Sequence, residues 1–296
     1  MLHRHTITSA SEAALLATVG DDAAYIFATA QRLSSTSNPR IKLLRKLQAK
    51  RARDKSGLMI LEGHRLLTDA LDAGYSADFV LLSEEALHAP EGARLARSLR
   101  EVLRAEQLAI APQSLIAELS DTQTPQGVVG MLQQPRLALP ESPSFVLVLD
   151  RISDPGNLGT LLRSAAGAGV ESALLLSGCT DPWGLKALRA GMGAQLRLPL
   201  VEVRGYAEAA GMLRRWGCHG VAADARGETD YWAVDWRQPS ALVVGSEAHG
   251  LAEEVLSDVD TQLCRIPLAN GVESLNAAIA GSVMMYEVGR QRRQLR

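Results

Sequence analysis

The sequence predicts an α/β protein that is divided into two domains. Along most of its 296 residues, short apolar runs alternate with longer amphipathic stretches, which is the pattern of strands separated by helices. One segment, residues 135–144, interrupts this alternation with three prolines, which can continue neither a helix nor a central strand. A chain of this length allows two domains of ordinary size. We therefore place a linker at residues 135–144.

The first predicted domain spans residues 32–134. Its apolar runs predict strands, and the amphipathic stretches between them predict helices. The strands are expected at residues 57–61, 79–82, 108–110 and 128–132, and the helices at residues 64–73 and 91–106. Strands spaced by helices in this way predict a small α/β layer domain.

The second predicted domain spans residues 145–296. Its apolar runs are continuous rather than interrupted by polar residues, which indicates strands that are buried on both faces. These runs lie at residues 145–149, 173–176, 220–223 and 241–244. They predict a parallel sheet with helices on each side.

The composition is that of a globular protein. With 47% hydrophobic and 22% charged residues, it excludes disordered, collagen-like and disulfide-scaffold proteins. The three cysteines, Cys179, Cys218 and Cys264, are widely spaced and odd in number, which is typical of reduced thiols in the cytoplasm. No apolar run approaches the roughly 18–20 residues of a membrane span. We therefore expect a cytoplasmic protein without membrane contact.

The first 31 residues are rich in Ala, Ser and Thr. Asp21 and Asp22 interrupt their apolar stretch, which argues against a secretory signal. We expect a flexible arm over residues 1–31 that can include a short helix, and an organelle transit peptide is the alternative.

The formal net charge of −2 conceals one strongly basic stretch. Residues 32–55 contain nine Lys and Arg residues against a single acid, Asp54. Ile41, Leu44 and Leu47 recur at a spacing of three, which predicts a helix with one buried face and a cationic outer face that suits a polyphosphate backbone. The alternative is an ordinary solvated face. The candidate nucleic-acid contacts are Arg40, Lys42, Arg45, Lys46, Lys50, Arg51 and Arg53.

Three predicted loops follow strands of the second domain and carry polar side chains. In the first loop, the turn-forming residues 153–157 precede a helix that is expected to begin near Leu158. That helix would place Arg163 one to two turns along, where it and Asn157 could face one site. The alternative is an ordinary strand-to-helix connection with an exposed arginine.

The other two loops have features of ligand sites. Gly245 and Glu247 directly follow the last buried strand, and a glycine there lets a ligand approach the backbone. The third loop begins at Ile266 and ends where Ser274 is expected to cap a helix rich in small residues. No dinucleotide-binding or P-loop glycine pattern occurs, which disfavours hydride transfer and nucleotide hydrolysis.

In this order and spacing, the loops resemble the three motifs of the SpoU/TrmH family of S-adenosylmethionine-dependent RNA 2′-O-ribose methyltransferases. The matching positions are Asn157 and Arg163 in the first motif, Gly245, Glu247 and Gly250 in the second, and Ile266, Pro267, Ser274, Leu275 and Asn276 in the third. A weaker resemblance to the family covers residues 185–199. This segment departs from the family pattern at Gly191, where serine is usual. The basic stretch is similar to the start of the small RNA-binding domain that many members carry.

The resemblance implies a parallel-sheet domain whose carboxyl-terminal segment is threaded into a deep trefoil knot. It also implies a homodimer in which two subunits jointly form the active site, with S-adenosyl-L-methionine bound by the knot loops. The implied cofactor-binding residues are Gly245, Ile266 and Leu275, and the implied catalytic residues are Asn157, Arg163, Glu247, Ser274 and Asn276. The spacing of the His and Cys residues indicates no metal site.

The implied reaction is methyl transfer to a ribose 2′-hydroxyl of structured RNA. Large-subunit ribosomal RNA is the leading expectation, because the two-domain layout resembles members with such substrates. Transfer RNA is the alternative substrate. Antibiotic-resistance methylation of ribosomal RNA and a non-catalytic role in RNA binding or ribosome assembly are further alternatives.

The role of Arg163 follows from its chemistry. A guanidinium keeps its proton throughout the physiological pH range and is a poor proton acceptor, so we expect Arg163 to grip the target phosphate and polarise the hydroxyl. Glu247 and Asn276 each have a structural alternative, as a brace for the knot loops and as a bridge at a helix end.

Overall fold

The computed structural model describes residues 20–247 and 249–293. The chain forms two compact units, Met1–Gln134 and Pro135–Arg296, and the boundary falls at the first proline of the segment 135–144. None of the helices in the described ranges combines the length and apolarity that crossing a bilayer requires.

The first unit contains a five-stranded mixed sheet in the part of the chain that the structure describes. Its strands are β1 (Gln31–Arg32), β2 (Leu58–Glu62), β3 (Ala77–Leu82), β4 (Leu108–Ile110) and β5 (Val128–Gln133). Its helices are α1 (Asp21–Thr29), α2 (Pro39–Lys46), α3 (Lys50–Ser56), α4 (His64–Asp72), α5 (Glu84–His88), α6 (Gly92–Val102) and α7 (Gln113–Ala117). The strand order is β1-β4-β3-β5-β2, with β5 antiparallel to both neighbours and the other pairs parallel.

The amino-terminal region differs from the flexible arm predicted over residues 1–31. Helix α1 buries Ala23 and Ile26 completely. Strand β1 then joins the edge of the sheet by parallel pairing with β4. A short helix in this region was expected, but the predicted flexibility is wrong for residues 21–31, because these elements contribute to the core and to the sheet. The transit-peptide alternative falls largely on residues 1–19, which lie outside the described residues.

The basic stretch forms two short helices, α2 and α3, rather than the single helix that its periodicity predicts. The predicted buried face is nevertheless confirmed, because Ile41, Leu44 and Leu47 are at most 1% exposed. Asn38 caps α2 by accepting the Arg40 amide at 2.9 Å. The apolar spacing thus specified which side chains are buried, although it did not show where the first helix ends.

The prediction that Arg53 contacts nucleic acid is wrong. Its side chain is buried, and its Nη1 donates to the carbonyl oxygens of Leu47 and Gln48 at 2.6 and 2.7 Å. Carbonyls at the end of a helix lack partners within the helix, so the guanidinium satisfies groups that α2 leaves open. A side chain buried in this way is not available to a phosphate.

The second unit contains a seven-stranded sheet whose paired neighbours, within the described ranges, are all parallel. Its strands are β6 (Phe145–Asp150), β7 (Ser172–Leu176), β8 (Leu200–Val203), β9 (His219–Ala223), β10 (Thr229–Asp230), β11 (Ser240–Gly245) and β12 (Thr261–Arg265). Its helices are α8 (Pro155–Ala168), α9 (Leu185–Gly191), α10 (Tyr206–Trp216), α11 (Glu253–Leu256) and α12 (Ala277–Arg293). The strand order is β10-β12-β9-β11-β6-β7-β8.

Strand β6 illustrates why its apolar run is continuous. Phe145, Leu147 and Leu149 pack in one core cluster, whereas Val146 and Val148 pack in another. Successive side chains of a strand point to opposite faces, so both faces of this sheet are covered. The predicted parallel sheet with helices on each side is confirmed.

The three cysteines are free thiols, as predicted. Burial raises the pKa of Cys179 to about 11 and that of Cys264 to about 12, and it also raises the pKa of Cys218. These thiols therefore stay protonated at neutral pH, which makes them poor nucleophiles.

Candidate active site

The loops that follow β6 and β11 leave the sheet side by side. These strands are parallel neighbours, and the last residue of β11, Gly245, pairs with the last residue of β6, Asp150. The segment after β12 returns to the same edge, because Asn276 at its end is hydrogen-bonded to both loops. All three predicted motif loops therefore meet at the carboxyl edge of the sheet, where open α/β sheets bind ligands.

Glu247 ties the three loops together. Its Oε1 atom accepts Asn157 Nδ2 at 3.0 Å and the Ala277 amide at 3.0 Å, and it also accepts Asn276 Nδ2. Asn276 Nδ2 donates as well to Asn157 Oδ1 at 3.0 Å. Asn157, Glu247 and Asn276, one residue from each motif, thus form one hydrogen-bonded group, here called the amide-carboxylate cluster.

Asn157 lies in the first turn of α8, which begins at Pro155 rather than near Leu158. Asp154 caps this helix by accepting the Asn157 amide at 2.8 Å. That hydrogen bond lowers the pKa of the Asp154 carboxyl below its usual value, and Lys186 at 3.3 Å lowers it further. A charged carboxylate at the amino end of α8 therefore stabilises the turn that presents Asn157.

Asn276 caps the last helix, which corrects the expectation that Ser274 does so. Asn276 Oδ1 accepts the amides of Ala278 and Ile279 at 3.0 and 3.1 Å, while its Nδ2 reaches the other two loops. Asparagine carries both an acceptor and a donor, so one side chain can serve both purposes. Ser274 is exposed in the preceding loop.

Arg163 projects from α8 into solvent. Among the residues that the structure describes, none forms a hydrogen bond or ion pair with its side chain, so the structure does not join it to the amide-carboxylate cluster. The Arg163 guanidinium is therefore available to a group from outside the described chain.

Tyr286 of α12 packs on α8 one turn beyond Arg163. It covers Gly167, where an added Cβ would lie 2.9 Å from the Tyr286 hydroxyl.

A cavity of about 330 Å³ opens beside the cluster. The three predicted cofactor residues, Gly245, Ile266 and Leu275, all line it, together with Glu247 and Ser274. Much of the remaining lining is apolar and comes from Ala223, Val244, Leu268, Ala277, Ala280 and Met284. An apolar pocket with a few convergent polar groups is typical of a small-molecule site.

Two charged residues of this cavity, Asp224 and Arg226, were not predicted from the sequence. They follow β9, and both line the cavity. Arg226 Nε and Nη2 each donate to one Asp224 carboxylate oxygen at 2.8 Å, and this pairing lowers the pKa of Asp224. The available signal was a charged residue directly after an apolar run, which is the pattern that identified the other loops.

Gln195 occupies the space that a side chain at position 191 would need, which is where the family pattern has a serine. A Cβ added at Gly191 would lie 2.5 Å from Gln195 Oε1. Gln195 is fully buried, and its Nε2 donates to the carbonyls of Pro182 and Ala187 at 3.0 and 3.1 Å. Glycine at position 191 is thus the residue that leaves room for this buried amide.

No group of three or more His, Cys, Asp or Glu side chains within residues 20–247 and 249–293 is arranged to hold a metal ion. The chemistry available at the cluster is that of amides, one carboxylate and backbone groups. Such groups can orient a polar substrate and bind a cofactor through hydrogen bonds.

Two family comparisons cover most of the chain. The SpoU rRNA Methylase family matches residues 144–286, and the MRM3-like substrate binding domain matches residues 38–130. The first range contains all three motif loops, and the second contains the basic stretch.

Individual relatives align along nearly the whole chain. A protein of Synechocystis sp. named as an uncharacterized tRNA/rRNA methyltransferase is 34% identical, with 88% of this chain and 93% of the relative aligned. The 23S rRNA (guanosine(2553)-2′-O)-methyltransferase of Bacillus subtilis is 27% identical over 87% of this chain and 99% of its own. The AdoMet-bound rRNA methyltransferase from Sinorhizobium meliloti superposes with a TM-score of 0.76 at 30% identity, covering 90% of this chain and 99% of that chain. The protein belongs to the SpoU rRNA methylase family.

Proposed function

We propose that this protein transfers a methyl group from S-adenosyl-L-methionine to a ribose 2′-hydroxyl of large-subunit ribosomal RNA. The observation that carries the proposal is the amide-carboxylate cluster, which joins all three motif loops beside a cavity lined by Gly245, Ile266 and Leu275. The solved relative with bound AdoMet and the relative that acts on 23S rRNA support the same cofactor and substrate.

The residues around the cavity fit S-adenosyl-L-methionine. Apolar side chains suit the faces of an adenine ring, and backbone groups near Gly245 can bind its polar edge. Arg226 and two acids, Asp224 and Glu273, complement the carboxylate and ammonium of the amino-acid end. A volume of about 330 Å³ lies within the range of small-molecule sites.

The protein groups have to position the ribose hydroxyl and assist the loss of its proton. When bound, the cofactor supplies an electrophilic methyl group on its sulfonium. We assign to Arg163 the grip on the target phosphate, since its guanidinium has no partner among the described residues. The amide-carboxylate cluster orients the loops around the target nucleotide, and the exposed Ser274 hydroxyl can contact that nucleotide directly.

Incubation with labelled S-adenosyl-L-methionine tests the proposal. We expect transfer to ribosomal RNA from a strain that lacks this gene, with the label mapping to one 2′-hydroxyl of the large subunit. Labelling of transfer RNA instead would show that transfer RNA, and not ribosomal RNA, is the substrate. A failure to label any RNA would favour a non-catalytic role in ribosome assembly.

We propose that the outer face of α2 and α3 binds the RNA backbone. Lys42, Lys46 and Arg51 are exposed and, within the described residues, engage no acid. Two other cations of this stretch are already held, Arg40 by the Glu106 carbonyl at 2.8 Å and Arg45 by Glu118 at 2.5 Å. Uncompensated positive charge on one surface favours phosphate. Lys50 belongs to the same surface.

Replacing Lys42, Lys46 and Arg51 together by alanine is expected to weaken RNA binding. Each phosphate contact releases counterions, so the slope of log affinity against log salt should fall in magnitude by about 2. Fluorescence anisotropy at several salt concentrations measures both quantities, and cofactor affinity should not change. The control replaces three arginines of the same unit that pair with acids, namely Arg65, Arg94 and Arg104. An equal loss in the control would contradict a specific surface.

We propose that the protein is a homodimer that associates through α12. Ile279, Val283 and Tyr286 recur at helical spacing, and all three are exposed, Ile279 to 54% and Tyr286 to 51%. A contiguous apolar face of this kind marks an association surface. Tyr286 covers the residue one turn beyond Arg163, so a second copy on this face lies close to that arginine. This placement supports an active site to which both subunits contribute.

Replacing Ile279 and Val283 together by aspartate is expected to convert the dimer to a monomer and to lower methyl transfer. Charges placed on both apolar positions would have to be desolvated at the interface. Sedimentation velocity measures the mass. The control is Val259→Asp, because Val259 is 96% exposed on another surface. A wild-type mass of one chain would contradict the proposed dimer.

We propose that residues 266–293 are threaded as the trefoil knot of this family. Helix α12 begins between the loops that follow β6 and β11. At Gly281 it approaches α8 and β11 so closely that an added Cβ would lie 2.5 Å from Leu161 and 3.3 Å from Val244. An experimental backbone trace in which this segment passes outside both loops would contradict the knot.

We propose a cytoplasmic location, where buried free thiols such as those of this chain stay reduced. Fractionation of cells that express the tagged full chain tests this location. Recovery of the protein from an organelle would contradict it.

A further inference from the structure

A buried carboxylate lies beside the loop that carries Glu247. Asp150, the last residue of β6, is 1% exposed and does not line the cavity. Its Oδ2 accepts the Ala252 amide at 2.6 Å, and its Oδ1 accepts Arg151 Nε at 3.0 Å. A charge removed from water needs such partners. Asp150 therefore holds the backbone just after the Glu247 loop.

Arg151 extends this contact to the loop itself. Its Nη2 donates to the Gly250 carbonyl at 3.3 Å. Its backbone φ is 55°, in the left-handed region that disfavours a residue with a Cβ. Its side chain packs on Gly178, where an added Cβ would lie 3.0 Å from Arg151 Cγ. Backbone strain of this kind is concentrated where function requires a particular geometry.

The loop transmits this restraint to the cavity. Ser246 and Gly250 close the loop through reciprocal backbone hydrogen bonds of 3.2 and 2.8 Å. Gly245 lies against the closed end, since a Cβ there would be 2.6 Å from the Gly250 carbonyl carbon. Gly245, Ser246, Glu247 and Gly250 all line the cavity. A displacement of Gly250 would therefore move the wall that includes Gly245.

We propose that Asp150 and Arg151 are positioning residues for cofactor binding. Asp150 fixes Ala252, Arg151 fixes Gly250, and together they hold the loop in the shape that forms one wall of the cavity. This inference rests on the proposed assignment of the cavity as the S-adenosyl-L-methionine site. Neither residue contacts the cavity, so both act through the loop backbone.

The test compares two substitutions with a matched control. Asp150→Asn turns an amide N–H toward groups that donate hydrogen bonds. Arg151→Gly removes the guanidinium and also relieves the strained φ. The loss of the ion pair lowers the stability of the fold, whereas the relief of strain raises it, so the two effects oppose each other. The control is Glu171→Gln, because Glu171 is also a carboxylate that accepts backbone amides, those of Ser144 and Phe145 at 2.9 and 3.2 Å, at the opposite edge of the same sheet.

Calorimetry with S-adenosyl-L-methionine measures Kd for each full-length variant, and thermal unfolding measures Tm. We expect Kd to rise about 10- to 100-fold in Asp150→Asn and Arg151→Gly, which is the effect of losing a hydrogen bond to a charged group. Glu171→Gln should lower Tm without changing Kd. At saturating cofactor, kcat should recover largely in Arg151→Gly, because that variant leaves Arg163 and the amide-carboxylate cluster unchanged.

Two results would overturn the positioning role. One is a Kd within about twofold of wild type in both variants. The other is a Kd that rises in all three variants in proportion to the loss of Tm. The cavity assignment is checked separately with Ala280→Trp, since Ala280 lines the cavity. If wild type binds no cofactor, or if this variant binds it normally, the assignment fails and the inference falls with it.

Discussion

Replacing Arg163 by alanine is expected to lower methyl transfer by about 10²–10³-fold, the usual effect of removing one group that stabilises developing charge. The Arg163 side chain has no partner among the described residues, so the substitution removes no internal contact that supports the fold. Cofactor affinity and Tm should therefore stay at wild-type values. Single-turnover methylation of ribosomal RNA measures the rate, and calorimetry measures the affinity.

Arg163→Lys separates charge from geometry. Lysine keeps the positive charge but cannot form two parallel hydrogen bonds with one phosphate, so we expect an intermediate rate. Arg214→Ala is the control, because Arg214 is an exposed arginine that pairs with Asp260 in another part of the sheet domain. Undiminished turnover in Arg163→Ala would exclude this residue from both phosphate binding and polarisation of the hydroxyl.

Replacing Glu247 by glutamine is expected to lower turnover by about 10- to 100-fold, since hydrogen bonds to a charged acceptor are lost or weakened. One carboxylate oxygen of Glu247 accepts two asparagine amides and the Ala277 backbone amide. A neutral amide is a weaker acceptor, and its own N–H groups would face other donors. The loops that carry Asn157 and Asn276 should then lose their fixed separation.

Cofactor affinity, measured apart from turnover, decides between the two roles considered for Glu247. If Glu247 only braces the loops, cofactor affinity and turnover should fall together in Glu247→Gln. In the double variant Glu247→Gln/Asn276→Ala, the activation free energy of methyl transfer should rise by less than the sum of the two single-variant increases, because the two residues share one hydrogen bond. Strict additivity would contradict the cluster as a working unit.

Most of the fold was predictable from local pattern. Continuous apolar runs such as residues 145–149 specified strands buried on both faces, because each successive side chain needs an apolar partner on its own side. The spacing of Ile41, Leu44 and Leu47 likewise specified a buried helical face. Residues 21–31 were missed because nothing in a short Ala-rich stretch shows that a distant strand will pair with its end.

The candidate site was predictable as a set of loops but not as a set of contacts. The glycine after β11 and the turn after β6 carry local signals. That Asn276 rather than Ser274 caps α12 depends on Glu247 and Asn157, which draw the asparagine amide to the loops. Asp224 and Arg226 entered the site because β9 lies beside β11 in the sheet.

The sequence by itself determined the two α/β units, the parallel sheet of the second and the three loops that carry polar residues. It did so because periodicity and turn chemistry act between near neighbours in the chain. Only the tertiary structure decided which cations stay exposed, as Arg53 is buried against helix-end carbonyls while Lys42 is not. It alone also joined Asp150 to Ala252, about a hundred residues apart. Hydrogen bonds between distant segments depend on how the strands are ordered, and strand order is set by the packing of the whole domain.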